Sequence, residues 1–519
     1  MQSPVILAGS SRGPSAKISY WSLPYKTQLL ILMLARFTDS LATSSIHTYM
    51  FFQLKRFSPD APTVTISTQC GLLVGCKTGA HVCTGLVWGR LADHALVSRK
   101  TVLVIGLLAS CAASVGYGFS TTFHQAVAWQ ILDGSLNATV AMVRCMTAEL
   151  NPEKNYRVRA LTLLPLFANV GSVLGPLIGG FLASANAKRS IVPGYPYAMP
   201  NVCIASIQAL VAFTAVFHLT DTFHHHVLDH RNDSEPPTAT RNARTAILSK
   251  PLSGQQIDET TALLQSPSTR SIIHLVPPSS SCQPPSLPFT KIWTPNVMKT
   301  MIAQFIISGH LGTFATLWAM FLSLPIASSR AQNLPFQFSG GLGMQPRRVG
   351  IAMSAFGFAG IILQVLVYPG FQERWGTIKV WRTALCLFPV VYVVAPFCAL
   401  IPLLVKHMDT KSVNVYPLVE WSVLLSVLLL FAAGRTGVVP ATSLLINDCT
   451  PHPSARGTIH TTGVICSNLS RSIFPPLALA VMGSGLRIGV VGLGFWFVAA
   501  LAVLSILASL TVHEGTNGE

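Results

Sequence analysis

Charge is scarce in this chain. Only 10% of its 519 residues are Asp, Glu, Lys or Arg, whereas soluble globular domains average about 25%. So few charges cannot cover a surface that faces water on all sides, which excludes a soluble multi-domain protein. Half of the residues are hydrophobic, and the mean hydropathy is +0.51. Composition therefore predicts a protein whose surface faces mostly lipid.

Acidic residues are the scarcer charged class, with 18 Asp and Glu against 35 Lys and Arg and a net charge of +17. Proteins that bind nucleic acid cluster such cations on one polar face. Here the cations lie mainly in the gaps between apolar runs, a placement typical of membrane topology signals and of contact with anionic headgroups. The charge therefore indicates a membrane and no nucleic-acid partner.

Motifs for metal or nucleotide chemistry are also lacking. The eleven cysteines are scattered, most of them inside apolar runs, so we expect small hydrophobic side chains and no disulfide or zinc framework. Histidines 224–226 and His230 beside Asp229 fit a solvated tail better than a metal site. The absence of a GxxxxGK[ST] loop argues against an ATP-driven pump. No enzyme activity, cofactor or metal is expected.

What the chain does have is long apolar runs. A transmembrane helix needs about 20 mainly apolar residues, and twelve runs qualify, six on each side of a polar gap. They are Gln28–Met50, Gln69–Leu91, Thr101–Ser120, Phe123–Ala148, Leu161–Ala183, Val202–Thr220, Val297–Leu322, Val349–Tyr368, Val380–Val405, Val415–Val439, Ile459–Met482 and Val490–Val512, named spans 1 to 12 below.

These runs predict an all-α membrane protein with twelve transmembrane helices in two six-helix bundles, residues 27–220 and 297–512. Residues 1–26 and 513–519 are predicted tails. The gap at 221–296 is rich in Ser, Thr, Pro and charge and is predicted to be a disordered linker.

The two halves repeat one pattern where span 4 or 10 turns back into span 5 or 11. An acid, a proline, an arginine and a second proline stand at offsets −3, 0, +5 and +24 in both halves. The residues are Glu149, Pro152, Arg157 and Pro176, then Asp448, Pro451, Arg456 and Pro475. Four matches in register favour a duplication, and parallel six-helix repeats are a known transporter plan.

Two motifs carry a family resemblance. Gly89-Arg90-Leu91-Ala92-Asp93 follows span 2, with Arg99-Lys100 before span 3, and span 5 contains GSVLGPLIGG. The glycines and proline of the second motif are Gly171, Gly175, Pro176, Gly179 and Gly180. The chain resembles the major facilitator superfamily, in particular fungal drug:proton antiporters of the tetracycline-resistance and zinc-induced-facilitator type. The resemblance implies two bundles that rock about a central site, with both termini and the linker in the cytoplasm.

The motif residues have physical roles of their own. Asp93 and the basic residues after it can neutralise a helix end and latch the hairpin. Small residues in span 5 allow close helix packing. Their role is either helix packing alone or packing that also shapes the gate of the transporter. The hairpin loop DHALVSRK departs from the family pattern, being two residues longer and without Gly, and span 4 has Gln130 where the family places a proton-tuning Arg.

Polar side chains lie inside several spans, where a charge costs at least about 2.5–3.5 kcal/mol on insertion scales. The main candidates for a substrate and proton pathway are Arg36, Asp39, Lys77, Gln130, Asp133, Asn137, Gln304, His310, Arg435 and Arg471. Arg36–Asp39 and Lys77–Asp133 could be structural ion pairs. Alternatively, the set forms a polar wall on a central cavity, because in the superfamily spans 1, 4 and 7 line that cavity.

Cations outnumber acids in this set, so we hypothesise anionic or amphipathic organic acids as substrates. Asp39 and Asp133 are the candidate proton carriers, because a carboxyl group in a low dielectric has a raised pKa. The sequence thus predicts a monomeric secondary transporter that couples export of a small organic solute to H+. A transport-deficient sensor on the same fold is the alternative.

The linker carries one sorting pattern. Glu259, Leu263 and Leu264 fit the acidic dileucine signal [DE]xxxL[LI], which a sorting adaptor could read in a disordered cytoplasmic segment. A functional signal would favour a vacuolar or endosomal membrane over the plasma membrane, and the sequence leaves that choice open.

Overall fold

The computed structural model describes residues 23–92, 97–151, 153–183, 192–221, 289–326, 336–402, 415–451 and 456–515. Most of the predicted amino-terminal tail and of the linker lie outside the described residues, as do Asp93 and the sorting pattern Glu259, Leu263 and Leu264.

Helices account for nearly all of the described structure, which contains no strand beyond one isolated bridge between Ile326 and Gly340. They correspond to the twelve predicted spans. In chain order the spans comprise Lys26–Phe57, Thr63–Ala92, Arg99–Gly118, Phe123–Leu136 with Thr139–Leu150, Lys154–Leu182, Ala198–His218, Pro295–Ser323, Pro346–Ile362 with Tyr368–Trp375, Thr377–Leu385 with Leu387–Val394, Val415–Asp448, Arg456–Arg487 and Leu493–Leu510.

Ten of the described helices are long and apolar enough to cross a membrane. The two remaining spans are span 2, which carries many polar residues, and span 4, which is broken into two helices. The predicted all-α membrane fold with two six-helix bundles is confirmed.

Span 4 differs from its predicted form, a continuous run over Phe123–Ala148. Its two helices are separated by Asn137 and Ala138. The Asn137 side-chain oxygen accepts a hydrogen bond from the Thr139 amide at 3.1 Å, which satisfies a donor at the start of the second helix. Hydrophobicity alone did not reveal the break, because the apolar run continues through it.

Within the first bundle, span 1 packs along span 5. The span 5 glycines lie directly on the span 1 backbone: a Cβ at Gly171 would come within 2.5 Å of the Phe37 carbonyl oxygen, and one at Gly175 within 2.5 Å of that of Leu41. Gly179 faces Ser45 in the same way. Only glycine permits this approach.

The two bundles meet through spans 2 and 11 and through spans 5 and 8. The Ser67 hydroxyl donates to the Leu479 carbonyl oxygen at 2.8 Å, and the Ser354 hydroxyl donates to that of Val173 at 2.7 Å. A Cβ at Gly180 would come within 2.7 Å of the Pro346 carbonyl oxygen. These contacts lie on the side of the molecule opposite to the start of span 1 and the end of span 12. We call this side the far face.

The opposite ends of spans 2 and 8 carry glycines with open space beside them. A Cβ at Gly85 or Gly89 in span 2, or at Gly370 in span 8, would meet no other described atom within 4 Å. We call this side the terminal face, because span 1 begins there and span 12 ends there. The bundles are therefore in direct contact at the far face, and the described residues show no such contact at these three positions of the terminal face.

The glycine contact between spans 1 and 5 leads to a stability prediction. Gly175→Ala should lower the free energy of unfolding by about 1–3 kcal/mol, because its methyl group would overlap Ser44 and the Leu41 carbonyl group. Thermal unfolding of the purified protein in detergent measures the effect. Gly85→Ala is the matched control in open space, and equal melting temperatures for the two variants would contradict the packing role.

Candidate functional site

A buried ion pair joins spans 2 and 4. The Lys77 ammonium nitrogen lies 2.5 Å from the Asp133 Oδ2 atom, with the two side chains 17% and 10% exposed. The Ser110 hydroxyl from span 3 donates a hydrogen bond to the other oxygen of Asp133. Span 2 reaches this position because Gly134 has no side chain to collide with the Lys77 carbonyl group. The lysine charge is thus neutralised inside the first bundle.

A second ion pair lies on span 1, where the Arg36 Nη1 atom is 2.6 Å from the Asp39 Oδ2 atom. The Asn137 amide group donates to Asp39 Oδ1 at 3.2 Å and to the Ser110 hydroxyl oxygen at 3.0 Å. Asp39 and Asp133 are therefore connected through Asn137 and Ser110. The break in span 4 places Asn137 at the centre of this hydrogen-bonded chain.

Three further arginines surround the same region. Arg144 in span 4 lies within electrostatic range of Arg36 and Arg471, and Arg471 in span 11 lies within range of Arg36 and Asp39. Arg435 in span 10 interacts with Arg471 and places its guanidinium carbon 5.6 Å from the centre of the Phe356 ring. Charges of the two bundles therefore come within range of one another through Arg36, Arg144 and Arg471, and Arg435 lies near Arg471 within the second bundle.

Two of these arginines are accessible between the bundles. The Arg144 and Arg471 side chains are exposed, belong to different bundles and lie within electrostatic range of each other. They therefore face an accessible space between the bundles, which we call the opening. Within the described part of the chain, neither of these residues nor Arg435 forms an ion pair.

The other residues predicted for the pathway are Gln130, Gln304 and His310, and they lie in three different places. Gln130 is buried one helical turn before Asp133. Gln304 donates to the Ser467 hydroxyl oxygen at 2.5 Å, which ties span 7 to span 11. His310 is fully buried and contacts the Tyr392 hydroxyl group at 2.9 Å and the Phe388 ring. The structure therefore places His310 in the aromatic core of the second bundle rather than among the arginines.

The predicted gating residues fall in two places. Arg99 forms an ion pair with Glu149, which joins the start of span 3 to the end of span 4, and Lys100 follows it with a partly exposed side chain. Gly89 and Arg90 lie near the end of span 2 at the terminal face, and Asp93 lies outside the described residues. In span 5, Pro176 and Gly180 contact span 8 of the other bundle.

The sequence interpretation missed several residues. Arg144 lies inside predicted span 4 and satisfies the same criterion as the other arginines, so a full survey of charges in spans would have found it. The Arg348–Glu420 ion pair joins spans 8 and 10, with a completely buried carboxylate. Ser110 carries no charge, and no signal in the sequence singles it out. Within the described ranges, no cluster of three His, Cys, Asp or Glu side chains could hold a metal.

Comparison with known proteins identifies transporters as relatives. The chain is 24% identical to the major facilitator superfamily multidrug transporter mfsB of Aspergillus fumigatus, an alignment that covers 95% of this chain and 84% of that protein. It is 23% identical to zinc induced facilitator 1 of Arabidopsis thaliana, over 72% of this chain and 70% of that protein.

A solved D-xylose–proton symporter shares the fold, with a TM-score of 0.62 and 11% sequence identity over 94% of this chain and 97% of that one. The sequence pattern of the major facilitator superfamily matches residues 29–342, which is more than half of this chain. The resemblance carried by the two motifs is confirmed, and the protein is a transporter-family membrane protein that belongs to the Major Facilitator Superfamily.

Proposed function

We propose that this protein is a secondary active transporter that exports a small organic anion by alternating access, with the binding site between the two bundles. The observation that carries the proposal is the set of four arginines, Arg36 and Arg144 from one bundle and Arg435 and Arg471 from the other, around one opening. A site shared by both bundles is what rocking of the bundles would expose to each side in turn.

The chemistry of arginine supports an anionic substrate. Its planar guanidinium group binds carboxylate or phosphate groups through two parallel hydrogen bonds. An arginine in a membrane protein usually pairs or faces a water-filled cavity, and the three unpaired arginines described above face the cavity. The Phe356 ring under Arg435 adds an apolar surface suited to an amphipathic acid. The multidrug transporter named above supports export of an organic compound.

Proton coupling is part of the proposal, with Asp39 and Asp133 as the proton carriers. The two carboxylates are linked through Asn137 and Ser110, a chain along which a proton could be exchanged. Protonation of Asp133 would remove the negative partner of Lys77, so a change in proton occupancy would alter the contact between spans 2 and 4. The alternative is a purely structural role for the two ion pairs.

The motif residues are proposed to control opening. Gly171, Gly175 and Gly179 hold span 1, while Pro176 and Gly180 touch span 8, so span 5 connects the interior of one bundle with the interface to the other. Gly89, Arg90, Arg99 and Lys100 belong to the terminal face, which must close in the outward-open state, and the motif residue Asp93 is proposed to act with them. We propose that this face is cytoplasmic, in the plasma membrane or in a vacuolar or endosomal membrane.

The anion site predicts the effect of removing single arginines. Arg36→Ala and Arg471→Ala should each weaken transport by at least about tenfold, because a hydrogen bond to a charged group contributes about 1.5–3 kcal/mol. The substrate is first found by comparing solutes accumulated by cells with and without the protein, and transport is then measured in reconstituted vesicles.

Arg487→Ala is the matched control, since Arg487 is exposed at the far end of the same helix as Arg471. Unchanged transport of an organic acid by Arg36→Ala and Arg471→Ala would contradict the anion site. Vesicles that move no solute when a pH difference is imposed would instead favour the transport-deficient sensor.

The proton role of Asp133 is separable from a structural role. Asp133→Asn should abolish transport driven by a pH difference and should also lower stability, because it leaves the buried Lys77 charge unpaired. Lys77→Gln combined with Asp133→Asn should recover most of the stability without recovering pH-driven transport. Asp448→Asn, at the exposed end of span 10, is the control.

Thermal unfolding and pH-driven uptake are measured on the same vesicle preparations. If the double variant regains both stability and pH-driven transport, then the Lys77–Asp133 pair is structural and the proton carrier lies elsewhere.

A further inference from the structure

The central opening carries an excess of positive charge. Lys77 is neutralised by Asp133 at 2.5 Å, so the charges that remain are those of Arg36, Arg144, Arg435 and Arg471 against the single carboxylate of Asp39. Among the described residues this leaves three positive charges without a partner. Asp39 cannot serve the other arginines well, because it already binds Arg36 at 2.6 Å and accepts a hydrogen bond from Asn137.

The excess charge is divided between the bundles. Arg36 and Arg144 belong to the first, and Arg435 and Arg471 belong to the second. The Arg471 side chain packs against span 7, where a Cβ at Gly312 would come within 2.9 Å of its Cγ atom, and Arg435 stacks on Phe356. Both cations of the second bundle are therefore packed against neighbouring groups along part of their side chains.

Closing the terminal face brings these like charges together. The bundles already touch at the far face, through spans 2 and 11 and spans 5 and 8, so alternating access requires the open ends to approach. Water leaves the opening during that movement, and repulsion between like charges increases as the local dielectric constant falls. A bound anion of sufficient charge would turn the repulsion into attraction.

We propose that the opening binds an anion with two or more negative charges through arginines of both bundles, and that the terminal face closes only when this anion is bound. This inference rests on the proposed function and adds two points to it: the valence of the ligand, and its requirement for closure. A monovalent anion would leave two of the three excess charges uncompensated.

The experiment measures closure directly in the full-length protein. Spin-labelled unnatural residues at Gly85 and Thr461, which are exposed on spans 2 and 11 at the terminal face, report the distance across the opening while the native cysteines stay in place. In vesicles of phosphatidylcholine with chloride as the anion, we expect the long distance. Citrate or inorganic phosphate, at matched ionic strength, should shift the population toward a shorter distance.

Charge-removing variants provide the second arm. Arg144→Gln combined with Arg471→Gln should populate the short distance in chloride alone, because the repulsion between the bundles is reduced. Arg144→Lys combined with Arg471→Lys keeps the charge and should stay at the long distance. If the glutamine variant does not fold, the anion titration of the unsubstituted protein remains decisive.

The results separate the two proposals. The inference is overturned if neither citrate nor phosphate changes the distance beyond the effect of chloride, or if the glutamine and lysine variants behave alike. Closure by these anions in a protein that moves no solute in vesicles would uphold the anion site and contradict the transport function. If the protein transports solute but neither anion changes the spin-label distance, the transport function is supported and the anion-dependent closure is contradicted.

Discussion

A charged side chain inside a membrane protein must find either a partner or water, because hydrocarbon solvates it poorly. This constraint organises the interior of the molecule. Lys77 and Asp133 meet each other, and Arg36 meets Asp39. Arg144, Arg435 and Arg471 have no such partner in the described chain and face the opening between the bundles. The position of the opening and the position of the arginines thus follow from the same requirement.

Close packing of backbones determines where the opening can lie. Span 5 touches span 1 through Gly171, Gly175 and Gly179 and touches span 8 through Gly180. A helix with small residues on two sides can pack closely within its own bundle and against the other bundle at once. The contact between Gly180 and span 8 lies at the far face. The position of the glycines along one helix therefore contributes to where the bundles touch.

The first bundle contains both the two carboxylates and two of the four arginines. The carboxylates are the candidates for proton exchange, and the arginines are the candidates for anion binding. The chain from Asp39 through Asn137 and Ser110 to Asp133 stays within that bundle. The excess positive charge extends across both bundles. An acid network inside one bundle suits proton exchange, and a cationic surface shared by two bundles suits an anion that both must hold. Arg36 belongs to both parts, since it binds Asp39 and faces the other arginines.

Much of the architecture could be read from the sequence. Apolar runs longer than a bilayer is thick predicted twelve spans, and repeated offsets around Pro152 and Pro451 predicted two related halves. The Arg36–Asp39 pair could also be predicted from the sequence, because residues three apart on a helix share a face. These features are local in the chain or depend on composition, and the helical repeat is enough to place them.

The tertiary structure alone decided the rest. Arg36, Arg144 and Arg471 are far apart in sequence, and only the packing of spans 1, 4 and 11 brings their charges into range. At the break, Asn137 donates hydrogen bonds to Asp39 and Ser110 from two other spans. His310 lies among aromatic rings because span 7 turns that face toward Tyr392. The sequence by itself determined that polar groups lie inside the membrane. Which of them meet was decided by the angles and contacts between helices, which no single helix encodes.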